Sequence, residues 1–81
     1  MTIPSNWEIN SRGRLERTFV FDNFDQALTF LNLCGELAQK SNHHPNLFLH
    51  DWKKLTITLF THSENAVTER DVEMAQKINS L

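Results

Sequence analysis

The sequence predicts an α+β fold: a four-stranded antiparallel sheet with helices packed on one face, in the order strand, strand, helix, strand, strand, helix. Three observations carry that prediction. The segment Leu55 to His62 alternates apolar and polar residues, the mark of a strand covered on one side. The segment Phe24 to Ser41 carries apolar residues at helical spacing. At 81 residues the chain has the length of a single domain, residues 1–81, with one layer of sheet under helices.

Trp7 to Asn10 reads as a short strand, Ser11-Arg12-Gly13 as a turn and Arg14 to Phe21 as a second strand with Phe19 and Phe21 on one face. Asn23 then caps a helix starting at Phe24, with Gln26 completing a capping-box-like pattern, and Pro45 guarantees that this helix has ended after about Ser41. The helix carries two apolar stripes. Phe24, Ala27, Leu28, Leu31 and Ala38 form one, and Phe30, Leu33 and Leu37 form the other. One stripe covers the sheet. The other predicts a partner helix from a second copy, hence a homo-oligomer, dimer or tetramer, unless the C-terminal helix covers it.

Leu47 to His50 reads as a third strand and Asp51 to Lys54 as a turn or bulge. The fourth strand, Leu55 to His62, places Leu55, Ile57 and Leu59 on one face and Thr56, Thr58, Phe60 and His62 on the other. After a polar loop, Ser63 to Val67, Thr68 caps the last helix with Asp71 at the third position, and Val72, Ala75 and Ile78 form its apolar stripe.

A net charge of -2 argues against direct nucleic-acid binding, and the basic cluster Arg12, Arg14 and Arg17, interrupted by Glu16, reads as a solvated strand face. No apolar run approaches the ~20 residues that span a bilayer, and the polar N-terminus lacks the parts of a signal peptide. With a single cysteine there is no internal disulfide. These features predict a cytoplasmic protein without a membrane partner.

Chemistry points to histidine. His43 and His44 are adjacent at a helix end, and His62 ends a strand. Imidazole, with an unperturbed pKa of about 6.5, donates or accepts protons near neutrality. A metal is disfavoured, because adjacent helical residues point roughly 100° apart whereas helical ligand pairs sit four residues apart, and no cysteine or carboxylate cluster completes a set. Cys34 reads as an inert core thiol. A histidine pair alone serves as readily as a polar helix cap.

The wider pattern is more specific. Asn42-His43-His44-Pro45, six residues, Trp52, nine residues, His62, eight residues and Asp71 closely resemble the signature of the pterin-4a-carbinolamine dehydratase family. Trp7-Glu8, Glu16-Arg17-Thr18-Phe19, Phe21, Asn23-Phe24, Ile57-Thr58-Leu59 and Thr61-His62 extend the resemblance over nearly the whole chain. It implies a hydro-lyase that dehydrates 4a-hydroxytetrahydrobiopterin to quinonoid dihydropterin, supporting tetrahydrobiopterin recycling without metal or organic cofactor. His43, His44 and His62 would be catalytic, with His43 and His62 as the proton-transfer pair and His44 chiefly holding the pterin ring.

The same resemblance places Pro45, Thr61, Ser63 and Glu64 around the substrate. It leaves Trp52 either stacked near the pocket or packed in the core, gives Asp71 mainly a helix-capping role, and leaves His50 on the surface. Family members commonly carry an acid four positions before the first histidine, where this chain has Gln39; an amide there can orient an imidazole but cannot stabilise its charge. Ala66-Val67 stands where many relatives have a glycine before the apolar residue, and the extra N-terminal helix of longer relatives has no expected counterpart. The rival expectation is a non-catalytic dimerisation or binding module, since some relatives act as dimerisation cofactors of a homeodomain transcription factor.

Overall fold

The computed structural model describes residues 1–81. The elements are β1 (Glu8–Ile9), β2 (Leu15–Val20), α1 (Phe24–Ser41), β3 (Asn46–His50), β4 (Lys54–Leu59) and α2 (Glu69–Asn79), with a 3-10 turn at His62–Glu64 before α2. The strands form one antiparallel sheet in the order β1-β2-β4-β3. The last strand in sequence is therefore central, and its alternation reflects a sheet covered on one face: Leu55, Ile57 and Leu59 are buried while the residues between them are not.

Register places Leu15 opposite Leu59, Phe19 opposite Leu55, and Leu47 and Leu49 opposite Ile57 and Leu55, so one face of the sheet is apolar. Both helices lie on that face. Cys34 of α1 and Met74, Ala75 and Ile78 of α2 join Leu15, Leu55, Ile57 and Leu59 in a single core cluster, against which Phe19, Phe21 and Phe30 pack. Each large aliphatic side chain removed from water there contributes about 1.5 to 3 kcal/mol. Trp7 closes one end, its indole N–H donating to Asn79 Oδ1 at 2.8 Å.

Three of the predicted strands are shorter in the molecule, whereas β3 begins one residue earlier than expected, at Asn46. β1 keeps two residues, because Trp7 turns into the core, and β4 ends at Leu59 rather than at His62. The alternation outlives the strand, with Thr61 buried and His62 exposed.

The inward stripe of α1 is also rotated from the expected one. Ala27, Cys34 and Ala38 are buried, with Leu31, Phe30 and Leu37 packed beside them, while Phe24 and Leu28 are exposed. Small residues at the contact let α1 lie close to the sheet, and the bulkier side chains flank the seam. Phe24 and Leu28 remain exposed on one flank of α1, and Leu33, about 140° round the helix from Leu28, on the other.

Candidate active site

The site begins where α1 ends. Asn42 adopts a left-handed conformation, φ 49° and ψ 40°, and the N–H groups of both Asn42 and His43 return to the Ala38 carbonyl. Arg70 of α2 donates to the Asn42 carbonyl at 3.2 Å and ties this turn to the second helix. The reversal sends two neighbouring histidines in different directions: His43 is buried and His44 exposed.

His43 meets Asp71, which is fully buried in the first turn of α2. The His43 Nε2–H donates to Asp71 Oδ1 at 2.6 Å, while Oδ2 accepts the Thr61 hydroxyl at 2.8 Å and the Thr68 N–H at 2.9 Å. One hydroxyl carries one proton, so Thr61, which donates to Asp71, accepts from Thr68 across their 2.8 Å contact. Asp71 thus completes the capping box of α2 and also holds an imidazole. Capping, the role expected from sequence, is half of what it does.

Gln39 does not reach His43. The left-handed turn carries His43 away, and the Gln39 Oε1 instead lies 2.8 Å from His44 Nε2. The carboxylate that holds His43 is instead Asp71, 28 residues away in sequence. No local pattern reveals that pairing. The available signal is the eight-residue spacing from His62 to Asp71, which by itself indicates only a cap.

His62 opens the 3-10 turn and is exposed, edge-on to Phe60 with ring centroids 5.2 Å apart. Ser63 and Glu64 beside it are exposed, whereas Thr61 is 3% exposed and turned inward. Its N–H and carbonyl are engaged with Ala66, and its hydroxyl with Asp71 and Thr68. Thr61 is therefore not free to meet a ligand as expected.

Trp52 is not packed in the core. It lies in the β3–β4 turn with positive φ, 64% exposed, and Lys53 Nζ stands 5.7 Å from its ring. Consecutive left-handed residues at Asp51 and Trp52 reverse the chain tightly and point the indole outward. His50 stacks on Phe48 and bonds Thr56, outside the site. Of the basic residues, Arg14 lies over Phe60, and Arg17 lies over Phe19 and donates to Asn79, so neither forms part of a free cationic patch.

His43 lines a hollow of about 420 Å³ between the end of α1 and α2, with Lys40, Arg70 and Glu73. His44 and Pro45 line another, of about 480 Å³, with Gln39. His62 borders neither. His43 and His62 are linked through Asp71 and Thr61 rather than by a common cavity. The histidine, cysteine and carboxylate side chains do not converge in threes with metal-site geometry. Burial pushes the Cys34 thiol up to about 11, so it is a packed, protonated group at neutral pH.

Fold and site together define a small α+β domain built around a carboxylate-held imidazole, His43, with two solvent-facing imidazoles, His44 and His62. Residues 1–81 match the model of the pterin 4 alpha carbinolamine dehydratase family, and the chain belongs to that family. Provisionally named pterin-4-alpha-carbinolamine dehydratases from Alkaliphilus metalliredigens and Rubrobacter xylanophilus are 42% and 43% identical, over 95% and 93% of this chain and 68% and 69% of theirs. The crystal structure of a transcriptional coactivator/pterin dehydratase from Brucella melitensis superposes with a TM-score of 0.85 at 38% identity, over 94% of this chain and 81% of that one. A pterin dehydratase-like protein identified as a RuBisCO assembly factor in the alpha-carboxysome shares the fold alone, with a TM-score of 0.77 and 21% identity over 93% and 87% of the two chains.

Proposed function

We propose that the protein dehydrates 4a-hydroxytetrahydropterins, 4a-hydroxytetrahydrobiopterin among them, to the quinonoid dihydropterin and water, and so serves tetrahydrobiopterin recycling. The observation that carries this reading is the buried His43–Asp71 pair, built from two positions of the family pattern. Hydroxide is a poor leaving group. One imidazolium protonates the 4a oxygen, the N5 electron pair expels water, and a neutral imidazole takes the N5 proton. His43 and His62 fill these two roles on opposite sides of the substrate, each contributing roughly 10² to 10⁴ in rate.

His44 holds the pterin ring, oriented by Gln39. Ser63 and Glu64, exposed beside His62, and Pro45 beside His44 supply the remaining contacts to the ring's nitrogens and carbonyl. Asp71 keeps His43 in one orientation. The reaction as written needs only proton transfers, so the chain's own side chains suffice.

The working enzyme is proposed to be a cytoplasmic homo-oligomer. The exposed Phe24 and Leu28, on one flank of α1, support a helix from a second copy as the partner surface. The same apolar surface favours the second reading, a binding module, because the similar Brucella protein is named a transcriptional coactivator as well as a pterin dehydratase.

Single-turnover dehydration of a 4a-hydroxytetrahydropterin by the purified protein separates the two. The wild type accelerates the reaction, and His43→Ala and His62→Ala each lower kcat/KM by roughly 10² to 10⁴. Rates unchanged by both substitutions would leave the binding module standing.

A further inference from the structure

We infer that Thr61 is a positioning residue: acting through Asp71, it fixes His43 with the proton on Nε2 and leaves Nδ1 as the nitrogen that exchanges a proton with the substrate. The kinetic half of this inference rests on the dehydratase reading; the tautomer half stands alone.

The geometry runs in one direction. Thr68 donates to Thr61, Thr61 donates to Asp71 Oδ2, and Asp71 Oδ1 accepts from His43 Nε2. Asp71 is fully buried and also bonds the Thr68 N–H, so donors on both oxygens fix the plane of its carboxylate. A carboxylate with donors on both oxygens is an acceptor, which sets the tautomer of a neutral imidazole beside it. His43 Nδ1 has no protein partner among the side-chain hydrogen bonds, and no buried side-chain nitrogen or oxygen is left unsatisfied. The free nitrogen therefore reaches the surface, where a ligand can meet it.

Thr61 also precedes His62. Its N–H donates to the Ala66 carbonyl at 3.0 Å, and its own carbonyl accepts the Glu64 N–H at 3.1 Å, closing the turn that presents His62. One buried residue thus sets the orientation of His43 through its side chain and the place of His62 through its backbone. A substrate contact requires none of this burial, and an ordinary helix cap needs only Thr68 and Asp71.

The test compares wild type, Thr61→Ser, Thr61→Val and Asp71→Asn by long-range ¹H–¹⁵N correlation of the histidine rings and by steady-state kinetics. In the wild type, neutral His43 carries its proton on Nε2. Thr61→Ser retains the hydroxyl, the tautomer and the rate. Thr61→Val keeps the Nε2–H tautomer, because the Thr68 N–H still holds Oδ2, but loosens the carboxylate and lowers kcat roughly 10-fold to 100-fold with KM little changed, in the range of outer partners of functional histidines. Asp71→Asn lowers it further, by roughly 10² to 10⁴, as a carboxylate-to-amide change beside a working imidazole does.

A wild-type His43 protonated on Nδ1, or a folded Thr61→Val with the wild-type kcat, overturns the proposal. If Thr61→Val does not fold, the wild-type spectrum and the Thr61→Ser rate decide it. A wild type with the expected tautomer but no dehydration overturns the dehydratase reading and leaves the tautomer assignment intact.

Discussion

His43 and His44 are neighbours in sequence and opposites in structure. His43 is buried against a carboxylate that itself accepts two further hydrogen bonds, while His44 is exposed and bonded to one amide. His62, exposed beside Phe60, resembles His44 in this respect. The difference shows how a small domain combines stability with reactivity. One imidazole is built into the joint between α1, the end of β4 and α2, and the others remain accessible on the rim.

Removing the Asp71 carboxylate that anchors His43 should therefore unfold the protein, whereas removing a rim histidine should not. Asp71→Ala leaves His43, the Thr61 hydroxyl and the Thr68 N–H without their acceptor, at an expected cost of about 3 to 5 kcal/mol. That rivals the whole roughly 3 to 5 kcal/mol margin of a domain this size, so urea denaturation should find the variant largely unfolded without denaturant. His62→Ala should stay within about 0.5 kcal/mol of wild type in the same experiment. Equal losses would erase the distinction between anchor and rim.

The turn that separates the two histidines is the next target. A β-branched residue in the left-handed conformation costs about 1 to 2 kcal/mol, so Asn42→Val should lower thermal stability by that amount and misplace both rings. Asn42→Gly, which accepts the conformation, should melt near the wild type. If both variants melt alike, the backbone at Asn42 is not what divides the pair.

How much of this is legible in the sequence follows from the range of each interaction. The period-two pattern of Leu55 to His62, the Asn23 cap and Pro45 are local signals; α1 lies where they indicate, and β4 follows its pattern only as far as Leu59. The α1 stripe is rotated from its sequence expectation because apolar spacing alone does not say whether small or large residues make the close contact. The site is legible as a set of positions, not as partners. His43–Asp71 depends on how α2 docks, and helical spacing matches Gln39 to the wrong imidazole because the turn at Asn42 breaks helical geometry one residue before His43. Trp52 belongs to the pattern, yet its turn points it to solvent; the turn is legible at Asp51, the left-handed conformation of Trp52 itself is not.

Smaller effects sharpen the comparison. Gln39→Glu restores the usual acid but faces His44, so the expected change in kcat/KM is less than about threefold, an effect of the size of a surface charge pair. A change as large as that of Asp71→Asn would mean that His44 does the work assigned to His43. Cys34 provides a probe of the core itself. Its folded pKa, raised to about 11 from the ordinary 9.0, means that the folded state favours the protonated thiol. The associated stability is full below about pH 9 and is lost as pH rises toward 11. Native protein at pH 8 should react with a thiol reagent far more slowly than urea-unfolded protein; equal rates would place Cys34 outside the core.

The most direct measurement is the structure of the protein with a dihydropterin bound. The account predicts ring nitrogens of His43 and His62 within hydrogen-bond reach of the pterin around C4a and N5, with His43 using Nδ1, His44 against the ring, and no contact from Trp52 or His50. A pterin seated away from His43, or held by His44 and Trp52 instead, would contradict it.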